Sequence, residues 1–244
     1  MITQMGQPTI DIVIPVYNEK SRIPLNIDMV FSYLKTAPFT WNVYFVNDGS
    51  TDDTDVVLRE YQKKYTFTVH TYKKNRGKGY AVRQGLTLGT GDWVVFFDID
   101  LATPVTMLDT LVTALTLDYQ IVIGSRRHKD ATIAKHESSL RTFLGQGFTK
   151  LSNILVPHIT DFTCGFKAYR RDVADMLAKL ARIDRWGFDT ELLYIAHLHK
   201  IPVHELPVMW THDDDSRVNV FHAVISSAKE LFLMFVNRIR GYYT

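Results

Sequence analysis

Apolar and polar positions along this chain alternate between two periods. Ile10-Asp11-Ile12-Val13-Ile14-Pro15-Val16 is a β-branched run with the length and composition of a buried strand. Polar Tyr17-Asn18-Glu19 follows, and Ile23, Ile27, Val30 and Leu34 then fall at helical intervals on one face. Asn42 to Val46 reads as a second strand, closed by Asn47-Asp48-Gly49-Ser50, residue types that favour a turn and a helix N-cap. The spacing next predicts a helix over 54–65, a strand over 67–72, a helix over 79–88 and a strand over 93–97. A helix over 105–117 and a strand over 120–123 complete the first half.

The second half is less regular. It predicts a long helix over 138–155, with Leu140, Phe143, Leu144, Gly147, Phe148 and Leu151 on its apolar stripe. A strand near Phe166 to Tyr169, helices over 172–180 and 190–199, a strand over 203–208 and a final helix over 220–239 follow. Strands alternating with helices imply an α/β fold, with a mostly parallel central sheet flanked by helices. Ligands of such sheets bind beyond the carboxyl ends of the strands. Tyr17, Asn18, Glu19, Asp48, Asp98 and Asp100 all fall there. No repeat or linker interrupts the chain, so residues 1–244 read as a single domain.

Composition narrows the possibilities. A net charge of +2 with 22% charged residues is that of an ordinary globular protein and offers no field of cations for nucleic acid. Cys164 is the only cysteine, which excludes an internal disulfide and fits a reducing, cytoplasmic setting. No run approaches the roughly 20 apolar residues needed to span a bilayer.

The chemistry centres on Asp98-Ile99-Asp100, at the end of the most apolar strand. Residues i and i+2 share a side, so two hard oxygen ligands can address one divalent cation. Alone, the pair could equally cap the next helix. Asp48 suits hydrogen bonding to a base or ribose, or a helix cap. Tyr17 suits stacking on a base, and Glu19 bonding to a ribose hydroxyl. Asn75-Arg76-Gly77-Lys78-Gly79 offers backbone N–H groups and cations to phosphate, yet matches no standard phosphate fingerprint.

In order along the chain, Ile14 to Glu19, Val46 to Asp52, Asn75 to Gly79 and Phe97 to Leu101 resemble glycosyltransferase family 2, whose members have the GT-A fold. Gly124-Ser125-Arg126, Leu140-Arg141, Asp161 to Lys167, Trp186 to Leu193, Pro207 to Trp210 and Ser216-Arg217-Val218 are similar to its polyprenyl- and dolichyl-phosphate branch, nearer the glucosyl than the mannosyl enzymes. The resemblance implies a nucleotide-sugar donor such as UDP-glucose, Mg²⁺ or Mn²⁺, inversion, and a lipid-phosphate acceptor. It divides the domain into a nucleotide-sugar half at about 8–125, an acceptor half at about 126–219 and a C-terminal helix at 220–244.

By that resemblance, Asp98 and Asp100 hold the metal, and Asp98, Asp100, Asp161 and Asp189 are the catalytic candidates. Pro15, Tyr17, Glu19, Asp48, Lys78, Asp98, Ser216 and Arg217 line the donor site, and Arg126 and Arg141 grip the acceptor phosphate. A phosphate nucleophile is already ionised and needs no base, whereas a sugar hydroxyl would need Asp161 or Asp189 to take its proton. Ala102 departs from the Ser or Gln common in this branch. The rival readings are transfer to a soluble, glycan or protein-linked acceptor, and a non-catalytic nucleotide-sugar-binding module. Cys164 reads as a buried thiol. The final helix, apolar along Phe232, Phe235 and Ile239 and ending in Arg238, Arg240, Tyr242 and Tyr243, suits either peripheral contact with a membrane's cytoplasmic face or packing against the domain or a second subunit.

Overall fold

A computed structural model describes residues 7–135, 139–212 and 220–244, with backbone alone at 139–141, 220–225, 227 and 228. In chain order the elements are β1 (Thr9–Val16), α1 (Arg22–Leu34), β2 (Thr40–Asn47), α2 (Thr54–Tyr61), β3 (Thr68–Thr71), α3 (Lys78–Leu86), β4 (Trp93–Phe97), α4 (Met107–Leu115) and β5 (Ile121–Ser125). There follow β6 (Thr132–Lys135), α5 (Ser139–Ser152), β7 (Phe166–Arg170), α6 (Arg171–Leu180), α7 (Phe188–Leu198), β8 (Val203–Pro207), β9 (Met209–Thr211) and α8 (Val220–Ile239).

Seven strands form one sheet in the order β3-β2-β1-β4-β7-β5-β8. All run parallel except β7, which lies antiparallel between β4 and β5. Strands β6 and β9 pair separately, over residues the sequence pattern left outside any strand. Because helices cover both faces, the central strands are apolar on both sides. Val13, Val94 and Phe96 face a core shared with α3, α6 and α7. Ile12, Ile14, Val95 and Phe97 face the core of α1 and α4. The stripe expected on α5 is largely uncovered: Phe148 is buried, but Phe143 and Leu151 are exposed.

A polar junction ties α6 to β1 and to the end of α3. Asp11 on β1 is fully buried, and its carboxylate accepts hydrogen bonds from Gly91 N (2.7 Å), Asn42 Nδ2 (2.8 Å) and Arg171 Nη2 (2.5 Å). Arg171 opens α6 and also donates to the carbonyls of Leu86 and Gly91, so α6, α3 and β1 meet at one guanidinium. Removing one partner of such a pair leaves the other buried and uncompensated. Asp11→Ala should therefore destabilise the fold by about 3–5 kcal/mol in urea unfolding. A loss below about 1 kcal/mol would contradict this account.

Candidate active site

The sheet's polarity gathers the site. Strands β1, β2, β4 and β5 end on the same edge, delivering Tyr17, Asp48, Asp98 and Arg126, and antiparallel β7 begins there beside Gly165. Beyond Phe97 the chain turns sharply: Leu101 adopts φ 51° and its N–H bonds the Asp98 carbonyl at 3.2 Å. Ile99 is driven into the core, and Asn26 of α1 braces its carbonyl at 2.7 Å. Asp98 and Asp100 are thus left on the open side of the turn. Asp100 also accepts from Ala102 N, so it caps its own turn and not α4, whose N-cap is Thr106.

The two carboxylates are electrostatically costly neighbours. Burial, then the charge of Asp98, raises the pKa of Asp100 above the ordinary carboxylate value. Lys78, at the start of α3, lies 2.7 Å from the Asp98 carboxylate. Burial works against the charge on Lys78, but Asp98 and Asp189 outweigh it and its pKa rises. Asp189 stands at the start of α7, 2.5 Å from Lys167, which is fully buried in β7 and also donates to the Cys164 carbonyl. Burial raises the pKa of Asp189, against the pull of Lys167 and then Lys78. The site is therefore a chain of alternating charge from Asp98 through Lys78 and Asp189 to Lys167, with Asp100 a like charge beside its first member.

On the other flank, Asp161 is fully buried and bound by Arg126. Arg126 Nε and Nη2 reach its two oxygens at 2.6 and 2.8 Å, and its backbone N–H adds a third bond. Burial opposes ionisation here, yet Arg126 outweighs it and holds the carboxyl well below its usual range. The Arg126 guanidinium also meets Thr163 Oγ1 and lies over the Trp210 ring, 5.3 Å from its centroid. Asp161 consequently positions Arg126; it does not stand as a free acid or base.

Other expected residues separate by role. Tyr17 is 43% exposed just beyond the end of β1, and Pro15 lies in β1 opposite Val46. Asp48 is buried, and its carboxylate accepts from Asn75 Nδ2, Arg76 N and Gly77 N at 2.8–2.9 Å, so it holds the 75–77 loop in place. Glu19 is ion-paired with Arg22 at 3.0 Å. In both cases a carboxylate near a strand end satisfies nearby donor groups within the protein. Cys164 is buried and its thiol is pushed up to about 11 by burial, which suits a structural residue. The side chain of Arg141 and both Ser216 and Arg217 lie outside the described residues. Sequence reasoning gave no role to Lys167 or Gly165. A lysine inside a strand buried on both faces was the available signal for the first.

This arrangement is that of a glycosyltransferase with the GT-A architecture. The chain belongs to the family described as Glycosyl transferase family 2, whose model matches residues 11–177. It is 36% identical to the dolichyl-phosphate beta-glucosyltransferase of Homo sapiens over 95% of this chain and 76% of that protein. The enzyme of the same name from Saccharomyces cerevisiae is 31% identical, over 96% of this chain and 76% of that protein. Among solved structures, glucosyl-3-phosphoglycerate synthase from Mycobacterium tuberculosis in complex with Mn²⁺, UDP-glucose and phosphoglyceric acid shares the fold. That match has a TM-score of 0.71 at 20% identity, covering 93% of this chain and 79% of that one.

Two outcomes follow from the geometry. A Cβ at Gly165 would stand 2.1 Å from Asp98 Oδ2, so Gly165→Ala must displace that carboxylate. Glycosyl transfer should fall about 100-fold in kcat/KM, the scale of a misplaced reacting group, with a melting temperature near wild type. Near-normal activity would show that the position of Asp98 is immaterial. The second outcome concerns acid stability. A lowered folded pKa contributes stability that is complete above the unfolded value of about 3.9 and lost as pH falls below it. The stability gap between wild type and Asp161→Asn should be full at pH 7 and shrink below about pH 4. A gap independent of pH in urea titrations would overturn this assignment.

Proposed function

We propose that this enzyme transfers glucose from UDP-glucose to a dolichyl or other polyprenyl phosphate, with inversion at the anomeric carbon. The carrying observation is that both acidic candidates on the acceptor side, Asp161 and Asp189, are already bound to cations. A site for a sugar hydroxyl needs a carboxylate ready to take a proton, whereas a phosphate acceptor arrives ionised and needs positive charge. Arg126, locked by Asp161, presents such charge, and Arg141 is its proposed companion. The curated relatives bearing this activity in their names span nearly the whole chain.

On the donor side, Tyr17 stacks on the base and Asp48 sets the 75–77 loop that places Lys78 beside the diphosphate. Ser216 and Arg217 are proposed to close over it. Asp98 and Asp100 fit a divalent cation: they are hard oxygen donors, and the crowding that raises the pKa of Asp100 is what a cation relieves. Among the described residues no group of three or more His, Cys, Asp or Glu could hold a metal alone, which fits an ion shared with substrate phosphates. When bound, Mg²⁺ or Mn²⁺ neutralises charge on the departing diphosphate. The exposed Phe143, Ile154, Phe232, Phe235 and Ile239 of α5, the turn after it and α8 suit peripheral contact with the membrane holding the lipid. Among the described residues, no helix is long and apolar enough to cross a membrane.

Incubation with radiolabelled UDP-glucose, polyprenyl phosphate and Mn²⁺ or Mg²⁺ tests this reading. Label should move into the organic phase as an acid-labile glucosyl phosphate whose anomeric proton in NMR shows the β configuration, and Asp100→Ala should lower the rate at least about 100-fold. Label transferred only to water-soluble acceptors would reject the lipid acceptor. Binding of UDP-glucose without any transfer would reject catalysis.

A further inference from the structure

Three segments far apart in sequence are joined behind the donor loop. Residues 182–188, which join α6 to the first residue of α7, lie directly on residues 76–80. Tyr80 N–H bonds the Asp184 carbonyl at 3.0 Å, and the Asp184 carboxylate accepts from Arg76 (3.0 Å) and Arg83 (2.7 Å). Contact is so close that a Cβ on Gly77 would meet the Asp184 carbonyl oxygen at 2.4 Å, and one on Gly79 the Phe188 Cβ at 2.5 Å. Lys78, which holds Asp98, sits between these glycines.

Helix α8 and the turn after it pin both ends of this backing segment. At one end, buried Tyr243 donates its hydroxyl to Glu191 Oε1 at 2.5 Å. Glu191, fully buried, accepts in turn from the backbone N–H groups of Arg182 and Ile183 at 2.8–3.0 Å. At the other end, Glu230 accepts the Gly187 N–H at 2.6 Å, and a Cβ on Gly187 would meet Glu230 Oε2 at 2.8 Å.

We infer that Glu230 and Tyr243 are positioning residues for the donor loop: they clamp residues 182–188, which press the Gly77-Lys78-Gly79 backbone into the place where Lys78 meets Asp98. The inference rests on the donor-site reading above, and its role is geometric. Charge-assisted hydrogen bonds at both ends of a short segment fix its path more firmly than neutral ones, because each is about twice as strong.

The test uses Tyr243→Phe, Glu230→Ala and Glu230→Gln in the full chain. Tyr243→Phe keeps the buried ring, and Glu230→Gln keeps an oxygen able to accept the Gly187 N–H. In Tyr243→Phe and Glu230→Ala, KM for UDP-glucose and Kd for UDP should each rise at least about fivefold, part of the factor carried by one charge-assisted bond. KM for the lipid phosphate should stay within twofold, and Glu230→Gln should recover most of the loss. Hydrogen exchange at Tyr80 should quicken in the same variants while amides of β1 do not change. A merely structural role would lower the melting temperature and scale kcat while leaving donor KM, UDP Kd and Tyr80 exchange unmoved. That result would overturn the inference. If wild type does not use UDP-glucose, the donor reading fails, and Tyr80 exchange still decides whether the clamp holds the loop.

Discussion

Two carboxylates held two residues apart in a half-buried turn repel each other, and the rest of the site answers that strain. Burial and the charge of Asp98 both favour protonation of Asp100. Lys78 places a positive charge 2.7 Å from the Asp98 carboxylate. Asp189 in turn keeps Lys78 charged, and Lys167 offsets Asp189. From Asp98 to Lys167, alternating sign allows four charged groups to share a poorly solvated space, because each has a counter-charge beside it. Asp100, at the end of the chain of charge and next to Asp98, is the member whose demand for positive charge is least met.

Sheet geometry explains why these residues meet. Parallel strands end on a common edge, so β1, β2, β4 and β5 each deliver a polar residue there without any long excursion. The antiparallel β7 adds what a wholly parallel sheet could not. Its first residues lie at that same edge, so Gly165 slips against Asp98 and Lys167 enters the core beneath the site. The 17–20 and 50–54 loops are stapled to one another, with Asn18 Oδ1 accepting from Thr51 N at 2.8 Å and Thr54 Oγ1 accepting from Glu19 N at 2.9 Å. This joins Tyr17 to a stiff rim, not a free loop.

Much of this frame could be read from the residues. Strands β1 and β4 were legible because burial on both faces demands largely apolar runs, interrupted within β1 by Asp11, and α1 because its buried face repeats at helical spacing. The predicted end of α2 overshot: the helix stops at Tyr61, and a turn carries Tyr65 onto the Phe31 ring, centroids 4.3 Å apart. That stacking is a tertiary contact, invisible to local periodicity. The direction of β7 was equally hidden, since the pattern of a five-residue strand does not say which way it runs in the sheet. Asp98 and Asp100 were recognisable at the site. The partners that define what carboxylates do were not, because Arg126 meets Asp161, and Lys78 meets Asp98, only after the sheet has formed.

The pairing of acids with bases also bears on how the enzyme discriminates among nucleophiles. Asp161 is ionised and saturated by Arg126, so its strong tendency to stay charged makes it a poor proton acceptor for a sugar hydroxyl. Asp189 has the raised pKa that a base would want, but its carboxylate is bound by Lys167, and taking a proton would leave that fully buried ammonium without its counter-charge. Proton transfer to either residue therefore opposes the electrostatics that hold the site together. An acceptor that brings its own negative charge meets no such opposition, because it adds an anion where Arg126 supplies a cation already fixed in direction by Asp161 and Trp210. The proposed preference for ionised acceptors therefore rests on how the acids are paired, not on how many of them there are.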